Sequence, residues 1–385
     1  MPPDRKPTVL HLCSGNLFGG IERFLVALAE SEAMNWRTRQ GFIVTSHGRL
    51  ESELRDRGAL VEYVGEVRLR NPVAVVRTRR RVGDFIRRFT PDVVIAHDTW
   101  PLVVMGPAVR SRPLVFYQHM RASGSLLERL LPRRLVTAVF CTSAFVAESA
   151  GALFPGVPAS VVRCTVSAPR RYDRERIRHQ LGLRSDEVAI IQVSRFEEYK
   201  GHLLLAEALK LLRTRTSWRA ILVGGGSRPS ERALTEKLER FVGELDGRLV
   251  LLGERSDVQE LLQASDVFCQ PNVAPEAFGL VFVEAMYAGL PVISTDMGGA
   301  REAVDSTVGI LVPPQASEVA WALSKLIDDP EARKRLGSNG PGRAHAICGE
   351  TTTVAALVQS IRNVLRTSHR SPGQGPGRAQ APPGQ

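Results

Sequence analysis

The most informative segment of the chain reads Pro275-Glu276-Ala277-Phe278-Gly279-Leu280-Val281-Phe282-Val283-Glu284. Residues 278–288 are apolar apart from glycine and Glu284, and Gly289 and Pro291 follow, as they often do where a helix ends. A helix that is apolar on nearly all sides is buried, so the pattern predicts that Glu284 lies among buried neighbours. A buried carboxylate costs several kcal/mol unless it is hydrogen-bonded. Glu284 therefore needs an arginine, a lysine or a ligand as its partner.

Glu276 precedes this helix, where the free N–H groups of Phe278, Gly279 and Leu280 are predicted to face outward and to favour an anion. The two carboxylates would then lie at the two ends of an extended, negatively charged ligand. A glycosidase acid–base pair is disfavoured, because a helical rise over this spacing is about 12 Å and hydrolytic carboxylates lie roughly 5–9.5 Å apart. A purely structural alternative stays open, in which Glu284 pairs with a core arginine and Glu276 is an ordinary loop acid.

The segment carries a family resemblance. It resembles the signature of the family-4 retaining glycosyltransferases. The matching motifs are Glu-x7-Glu, the Phe-Gly-Leu inside it and the Ala-x3-Gly-x-Pro-Val-Ile that follows. The resemblance implies the α/β fold called GT-B, in which two Rossmann-like domains, each with a doubly wound parallel sheet, face a cleft.

Length and composition agree with two globular domains. The chain has 385 residues, 43% hydrophobic and 24% charged. No apolar run approaches the length of a membrane span, and the N-terminal residues contain no signal-peptide region. The five cysteines are scattered without metal-binding or redox spacing. We therefore expect a cytoplasmic protein.

The net charge of +11 comes mainly from arginine. No nucleic-acid-binding motif accompanies it, so a nucleic-acid partner is not expected. Apolar residues interleave with arginines over residues 73–89, which predicts a basic amphipathic helix. Its basic face is either a solvated surface or a contact with an anionic membrane, which would place the protein peripherally at the inner face of that membrane.

The first half alternates strands and helices, beginning with strand 8–13, a glycine loop and a helix from Ile21. Such alternation predicts a parallel sheet, and ligands bind beyond the carboxyl ends of its strands. His97 and His119 both follow strands at that edge. By resemblance, His119 is the active-site histidine that contacts the transferred sugar, and His97 is secondary. Gly19 and Gly20 resemble the family's loop against the donor phosphates.

The second half repeats the alternation. Arg195 and Lys200 follow the strand 188–193, where a guanidinium and an ammonium suit a diphosphate. Taken alone they would be surface cations among glutamates. They resemble the family's Arg-x4-Lys-Gly phosphate clamp, however, and Gly298 to Glu302 resembles its Gly-Gly-x-x-Glu segment.

We predict an acceptor-binding domain over residues 1–167 and a nucleotide-sugar-binding domain over 168–350. A helix over 351–368 is expected to cross back to the first domain, and 369–385 is expected to be a disordered tail. The family's Asn-Gly-Val-Asp turn near the junction is replaced here by Arg163-Cys164-Thr165-Val166. The contacts of that turn do not transfer to this chain.

The resemblance implies transfer of a sugar from a nucleotide sugar to a saccharide, lipid-linked or small-molecule acceptor, with retention of configuration, in polysaccharide or glycoconjugate synthesis. The candidate catalytic residues are His119, Glu276, Arg195 and Lys200. The candidate donor-binding residues are Gly19, Gly20, Arg195, Lys200, Phe278, Gly279, Leu280 and Glu284. The chain has no Asp-x-Asp, and neither a metal nor another cofactor is expected, since the nucleotide sugar is a substrate.

Two other functions stay open. A GT-B-type epimerase or hydrolase of sugar nucleotides would use the same carboxylates but would release product without an acceptor. A non-catalytic membrane- or polymer-binding module would explain the arginines and leave Glu276 and Glu284 without a role.

Overall fold

The computed structural model describes residues 5–16, 18–225 and 228–368. It contains two parallel sheets. The first sheet is built from β1 (Thr8–Leu12), β2 (Arg39–Val44), β3 (Leu60–Tyr63), β4 (Val93–His97), β5 (Leu114–Gln118), β6 (Val136–Cys141) and β7 (Ala159–Val161). The second is built from β8 (Val188–Val193), β9 (Trp218–Val223), β10 (Leu249–Gly253), β11 (Val267–Gln270), β12 (Val292–Thr295) and β13 (Gly309–Val312).

The strand order is β3-β2-β1-β4-β5-β6-β7 in the first sheet and β10-β9-β8-β11-β12-β13 in the second. In both sheets the order reverses beside the first strand of the domain, which is the switch point of a doubly wound fold. Strands β1, β4 and β5 are buried along their whole length, because helices cover both faces of a parallel sheet. The predicted α/β fold with two doubly wound parallel sheets, the GT-B arrangement, is confirmed.

Helices connect the strands and cover the sheets. Those of the first half are α1 (Gly20–Glu30), α2 (Glu32–Arg37), α3 (Arg49–Asp56), α4 (Pro72–Phe89), α5 (Thr99–Met105), α6 (Leu126–Arg129), α7 (Ala144–Ala147) and α8 (Ala150–Leu153). Those of the second half are α9 (Arg174–Gln180), α10 (His202–Leu211), α11 (Pro229–Glu244), α12 (Val258–Ala264), α13 (Leu280–Tyr287), α14 (Ala300–Ala303), α15 (Ala316–Asp328), α16 (Pro330–Cys348) and α17 (Glu350–Ser368). No helix in the described part of the chain combines the length and the apolar character needed to cross a bilayer.

The last helix, α17, packs away from the sheet that precedes it. Its residues Leu357 and Ile361 share a core cluster with Val9 and Phe24 of the first domain. The first sheet ends at Val161 and the first helix of the second half begins at Arg174. The boundary proposed at residue 167 falls between them and stays a prediction, and the predicted tail 369–385 lies outside the described residues.

One helix start differs from the sequence prediction. Helix α13 begins at Leu280, with Gly279 as its N-cap, so Phe278 and Glu276 lie in the preceding loop. Gly279 has φ +84°, and a Cβ atom there would overlap the Phe282 ring. This left-handed conformation is open to glycine but strained for other residues, and it interrupts the helix that the apolar pattern extends towards Phe278.

Candidate functional site

The predicted loop after β1 and the start of α13 meet across the cleft between the domains. A Cβ atom on Gly20 would lie 3.6 Å from the Cδ1 atom of Leu280. The end of the loop after β1, where α1 begins, therefore contacts the second domain at the segment that carries Glu276 and Glu284. The structure thus brings together candidate residues that are far apart in the sequence.

Glu284 has an arginine partner, but that arginine belongs to the opposite domain. Nη1 of Arg23 in helix α1 lies 2.6 Å from both carboxylate oxygens of Glu284. The Glu284 carboxylate raises the pKa of Arg23, which keeps the guanidinium charged. The Arg23 side chain is 35% exposed. The arginine partner that the structural alternative calls for is thus present, but it lies across the cleft and not in the core around α13.

Glu276 forms a buried ion pair with Lys200. Nζ of Lys200 donates to Oε2 of Glu276, and the two side chains are 13% and 7% exposed. Burial lowers the pKa of Lys200, but Glu276 and Tyr199 together raise it by more, and the net pKa is raised. The ammonium also lies 4.7 Å from the centre of the Tyr199 ring. Glu276 is therefore a charged group held in place by a cation, and not an ordinary loop acid.

Arg195 lies at the rim of the same cleft. Its Nη1 atom is 3.0 Å from Oε1 of Glu197, and its side chain is 40% exposed. Glu22 lies at the start of α1 in the first domain. Burial raises the pKa of Glu22, and the positive charge of Arg195 lowers it, so the two side chains are close enough to interact. Arg195 thus faces the first domain with part of its guanidinium accessible.

The start of α13 presents backbone donors. Within the described residues, no protein acceptor is bonded to the N–H groups of Phe278, Gly279 and Leu280. The Gly298–Gly299 segment supports this loop from behind, because Gly299 N–H donates to the Glu276 carbonyl at 2.8 Å. Free N–H groups beside Lys200 form an environment suited to a negatively charged group.

His119 is separated from this charged cluster. Its ring is buried, stacks on Tyr117 with centroids 4.5 Å apart, and has Nε2 3.1 Å from Nδ1 of His97. In the described part of the chain, no hydrogen bond joins it to Glu276, Arg195 or Lys200. The structure therefore places His119 at the predicted sheet edge but with its ring turned into the first domain.

A cavity of about 480 Å³ lies in the second domain. Its lining includes Phe196, Gly224, Gly225, Leu251 and Glu254, at the carboxyl ends of β8, β9 and β10. This volume is within the usual range for small-molecule sites. Among the described residues, no group of three or more His, Cys, Asp or Glu side chains could hold a metal ion.

The sequence reasoning missed Arg23, and it named Glu302 only as the end of the glycine segment, without the contacts that the structure gives it. Glu302 accepts hydrogen bonds from the N–H groups of Ala144 and Phe145 at the start of α7, and it pairs with Arg163 at 3.3 Å. It therefore joins the second domain to the first. Arg23 follows the glycine loop within two residues of Ile21, but no local pattern indicates a partner 261 residues away.

The buried histidines make a prediction for stability. Burial lowers the pKa of His11 and His119 to about 3 and that of His97 well below its usual value. Because the folded-state pKa values are depressed, the unfolded chain binds more protons as the pH falls below about 6.5. Stability is therefore retained above that pH and lost as the pH falls towards 3, by up to about 1.4 kcal/mol per pH unit for each histidine.

Urea unfolding midpoints between neutral and mildly acidic pH check this expectation. His97→Asn should make the loss of stability with falling pH less steep. The matched control is His179→Asn, since His179 is exposed and forms no ion pair among the described residues, and the slope should stay unchanged. An equal slope for wild type and His97→Asn would contradict the prediction.

Two family profiles match the chain. The family described as "Glycosyl transferases group 1" matches residues 173–343. The family described as "Glycosyltransferase Family 4" matches residues 18–192. The two matches divide the chain much as the two sheets do.

Characterised proteins with similar sequences include two from Corynebacterium glutamicum. A D-inositol 3-phosphate glycosyltransferase is 32% identical over 199 residues, 49% of this chain and 46% of that protein. A GDP-mannose-dependent monoacylated alpha-(1-6)-phosphatidylinositol monomannoside mannosyltransferase is 30% identical over 220 residues, 54% of this chain and 55% of that protein. The chain therefore matches about half the length of these relatives.

Among solved structures, Anabaena HepE in complex with UDP-glucose resembles the whole chain. The TM-score is 0.81 at 24% identity, and the match covers 93% of this chain and 100% of HepE. At this identity the likeness shows the shared fold.

Proposed function

Because the chain belongs to the family-4 glycosyltransferases, we propose that it transfers a sugar from a nucleotide-sugar donor to a saccharide or lipid-linked acceptor with retention of configuration. The observation that carries this proposal is the buried Lys200–Glu276 pair, which lies beside free backbone N–H groups at the cleft. A charged pair in that position is costly to bury and has an evident use in holding a sugar diphosphate.

The proposed chemistry follows from where charge develops. Breaking the bond between the sugar and the diphosphate places negative charge on the leaving group, so cations and N–H groups that bind this charge in the transition state accelerate the step. Lys200, Arg195 and the start of α13 supply them. Glu276 accepts hydrogen bonds from the sugar hydroxyls, and Glu284 accepts them from the ribose.

Arg23 must release Glu284 for this donor pose. Its ion pair occupies both carboxylate oxygens, and ribose hydroxyls compete for the same atoms. Donor binding is thus coupled to the contact between the two domains, as expected for an enzyme that closes its cleft around substrate.

Retention follows either from two displacements through a protein nucleophile or from attack on the face that the diphosphate leaves. Among the described residues the site offers no evident nucleophile, so we infer a same-face attack in which the departing phosphate accepts the proton of the acceptor hydroxyl. We also propose that no metal is required, because Lys200 and Arg195 supply the positive charge next to the diphosphate.

The test is a transfer assay with the purified full-length protein, UDP-, GDP- and ADP-sugars, and saccharide or lipid-linked acceptors. We expect acceptor-dependent release of nucleoside diphosphate, a product anomer matching the donor by NMR, and the same rate with EDTA. Free sugar or an epimerised donor formed without acceptor would favour an epimerase or hydrolase. A sharp loss of rate in EDTA would overturn metal independence.

A lipid-linked acceptor is supported by one face of the first domain. Helix α4 buries Val75, Val82 and Phe85 and exposes Val73, Val76, Arg77 and Arg80. The predicted amphipathic helix is confirmed. In the described part of the chain, Arg77 and Arg80 have no ion-pair partner, so their charges face solvent.

The same face carries exposed leucines that the sequence analysis did not identify. Helix α5 packs against both α4 and α6, which places α4 and α6 on one side of the sheet. Leu126 and Leu130 of the α6 segment are 75% and 60% exposed, next to Arg129. Exposed apolar side chains beside cations suit an anionic bilayer surface.

We expect the protein to sediment with vesicles containing phosphatidylglycerol, less so at high salt and not with pure phosphatidylcholine. Arg77→Glu with Arg80→Glu should weaken binding by about tenfold or more, because each cation near an anionic surface contributes about 1 kcal/mol. Leu126→Ser with Leu130→Ser should also weaken it. Leu211→Ser is the matched control, since Leu211 is 59% exposed on the second domain. Binding that no variant alters would contradict membrane contact through this face.

A further inference from the structure

Three histidines form one buried chain at the carboxyl edge of the first sheet. Nε2 of His119 lies 3.1 Å from Nδ1 of His97, and Nε2 of His97 lies 2.9 Å from Nδ1 of His11. The exposed fractions of the three residues are 6%, 2% and 0%. His11 lies in β1, His97 ends β4, and His119 directly follows β5. These three strands are neighbours, so the sheet itself aligns the three rings.

Each ring carries one proton. Burial lowers the pKa values of all three histidines far below neutrality, so each is a neutral imidazole with one N–H donor and one lone pair. Each nitrogen–nitrogen contact needs one donor and one acceptor. The three tautomers are therefore coupled, and all the protons in the chain point in the same direction.

Gln40 decides that direction. Its Nε2 atom donates to the Leu28 carbonyl at 2.9 Å and to Oδ1 of Asn35 at 2.8 Å, which orients the amide with Oε1 as the remaining acceptor. Oε1 of Gln40 and Nε2 of His11 are both buried, and neither meets a hydrogen-bond partner at bonding distance among the described residues, so each is left as the complement that the other needs. Gln40 raises the pKa of His11 through a side-chain interaction, as expected where an imidazole N–H faces an amide oxygen.

The proton of His11 therefore lies on Nε2, facing the Gln40 oxygen, and its Nδ1 atom accepts from His97. His97 in turn carries its proton on Nε2 and accepts at Nδ1 from His119. We propose that Gln40, His11 and His97 are positioning residues that hold His119 as the tautomer with its proton on Nε2 and a lone pair on Nδ1.

This assignment gives His119 a specific role, which rests on the proposed function. The neighbour of its Nδ1 atom is the thiol of Cys164, with Sγ at 3.9 Å, a weak partner. The lone pair on Nδ1 thus has no strong protein donor, and a substrate hydroxyl that displaces the thiol contact would find an acceptor there. His119 is then an acceptor for the sugar or the acceptor substrate, and not a proton donor to the leaving diphosphate.

The tautomer is tested by long-range ¹H–¹⁵N NMR of the full-length protein with ¹⁵N-labelled histidine, assigned with single His→Asn variants. We expect a pyrrole-like Nε2 and a pyridine-like Nδ1 for His119. A protonated Nδ1 would overturn the proposal. Because this readout needs no turnover, it stays distinct from a failure of the proposed glycosyl transfer.

Gln40→Leu removes the acceptor and should shift proton population towards Nδ1 of His119. We expect kcat to fall about tenfold, as for other losses of a group that orients a histidine, with the donor KM unchanged. Asn35→Ala is the matched control, because the Gln40 amide nitrogen keeps the Leu28 carbonyl as its partner and Oε1 still faces His11; the His119 tautomer and the rate should match wild type. An unchanged tautomer or an unchanged kcat in Gln40→Leu would refute the positioning role.

Discussion

Glu276→Gln is expected to lower kcat by about 10²–10³-fold, the effect of removing a preorganised group from a low-dielectric site. The substitution keeps the size of the side chain and one acceptor oxygen but removes its charge. Lys200, which is 13% exposed, would then lose its counter-charge. The direct measurement is the rate of acceptor-dependent nucleoside diphosphate release.

Stability must be measured beside activity, since breaking a buried ion pair can cost about 3–5 kcal/mol. Adding Lys200→Met to Glu276→Gln removes the unpaired charge and should restore part of the stability but none of the activity. Glu198→Gln is the matched control, because that carboxylate is 82% exposed, and both properties should stay near wild type. A folded Glu276→Gln protein within twofold of the wild-type rate would refute the catalytic role.

Glu284→Ala is expected to abolish the rise in melting temperature caused by the cognate nucleoside diphosphate. A ligand present at 100 times its Kd stabilises a folded protein by about 2.7 kcal/mol, and the ribose contact is a specific part of that binding. UDP, GDP and ADP are compared on wild type first, which also identifies the base. No shift with any of them would count against the enzyme proposal.

Arg23→Ala separates nucleotide binding from domain contact. Arg23→Ala and Glu284→Ala break the same ion pair across the cleft, so both loosen the contact between the domains. Only Glu284→Ala should lose the rise in melting temperature caused by the nucleotide. Arg23→Ala frees the Glu284 carboxylate, so it should keep or enlarge that rise. If the two variants lose the effect equally, Glu284 acts through the domain contact and not through the ribose.

Much of the fold was predictable because local patterns encode it. The apolar runs before Gly15, Ser194 and Gly224 are the buried strands of parallel sheets, and their alternation with helical segments predicts the doubly wound topology. The amphipathic pattern of α4 predicted which face is buried. The start of α13 was wrong by two residues, because Gly279 adopts a left-handed conformation that interrupts the helix, and an apolar pattern does not indicate such a break.

The candidate site was predictable as a set of residues but not as a set of pairs. Charge and spacing single out Lys200, Glu276 and Glu284, and a buried carboxylate needs a partner whatever the fold. The identity of each partner does not follow from the sequence, since Lys200 is 76 residues from Glu276 and Arg23 is 261 residues from Glu284.

By itself, then, the sequence determined the two α/β domains, the family resemblance and the charged groups that need partners, because these depend on periodicity and residue type over short stretches. Only the tertiary structure decided which groups meet. The ion pair between Arg23 and Glu284 depends on how the two domains pack. The chain of His11, His97 and His119 depends on a strand order that places β1, β4 and β5 side by side, and hydrogen bonds reach only across such short distances.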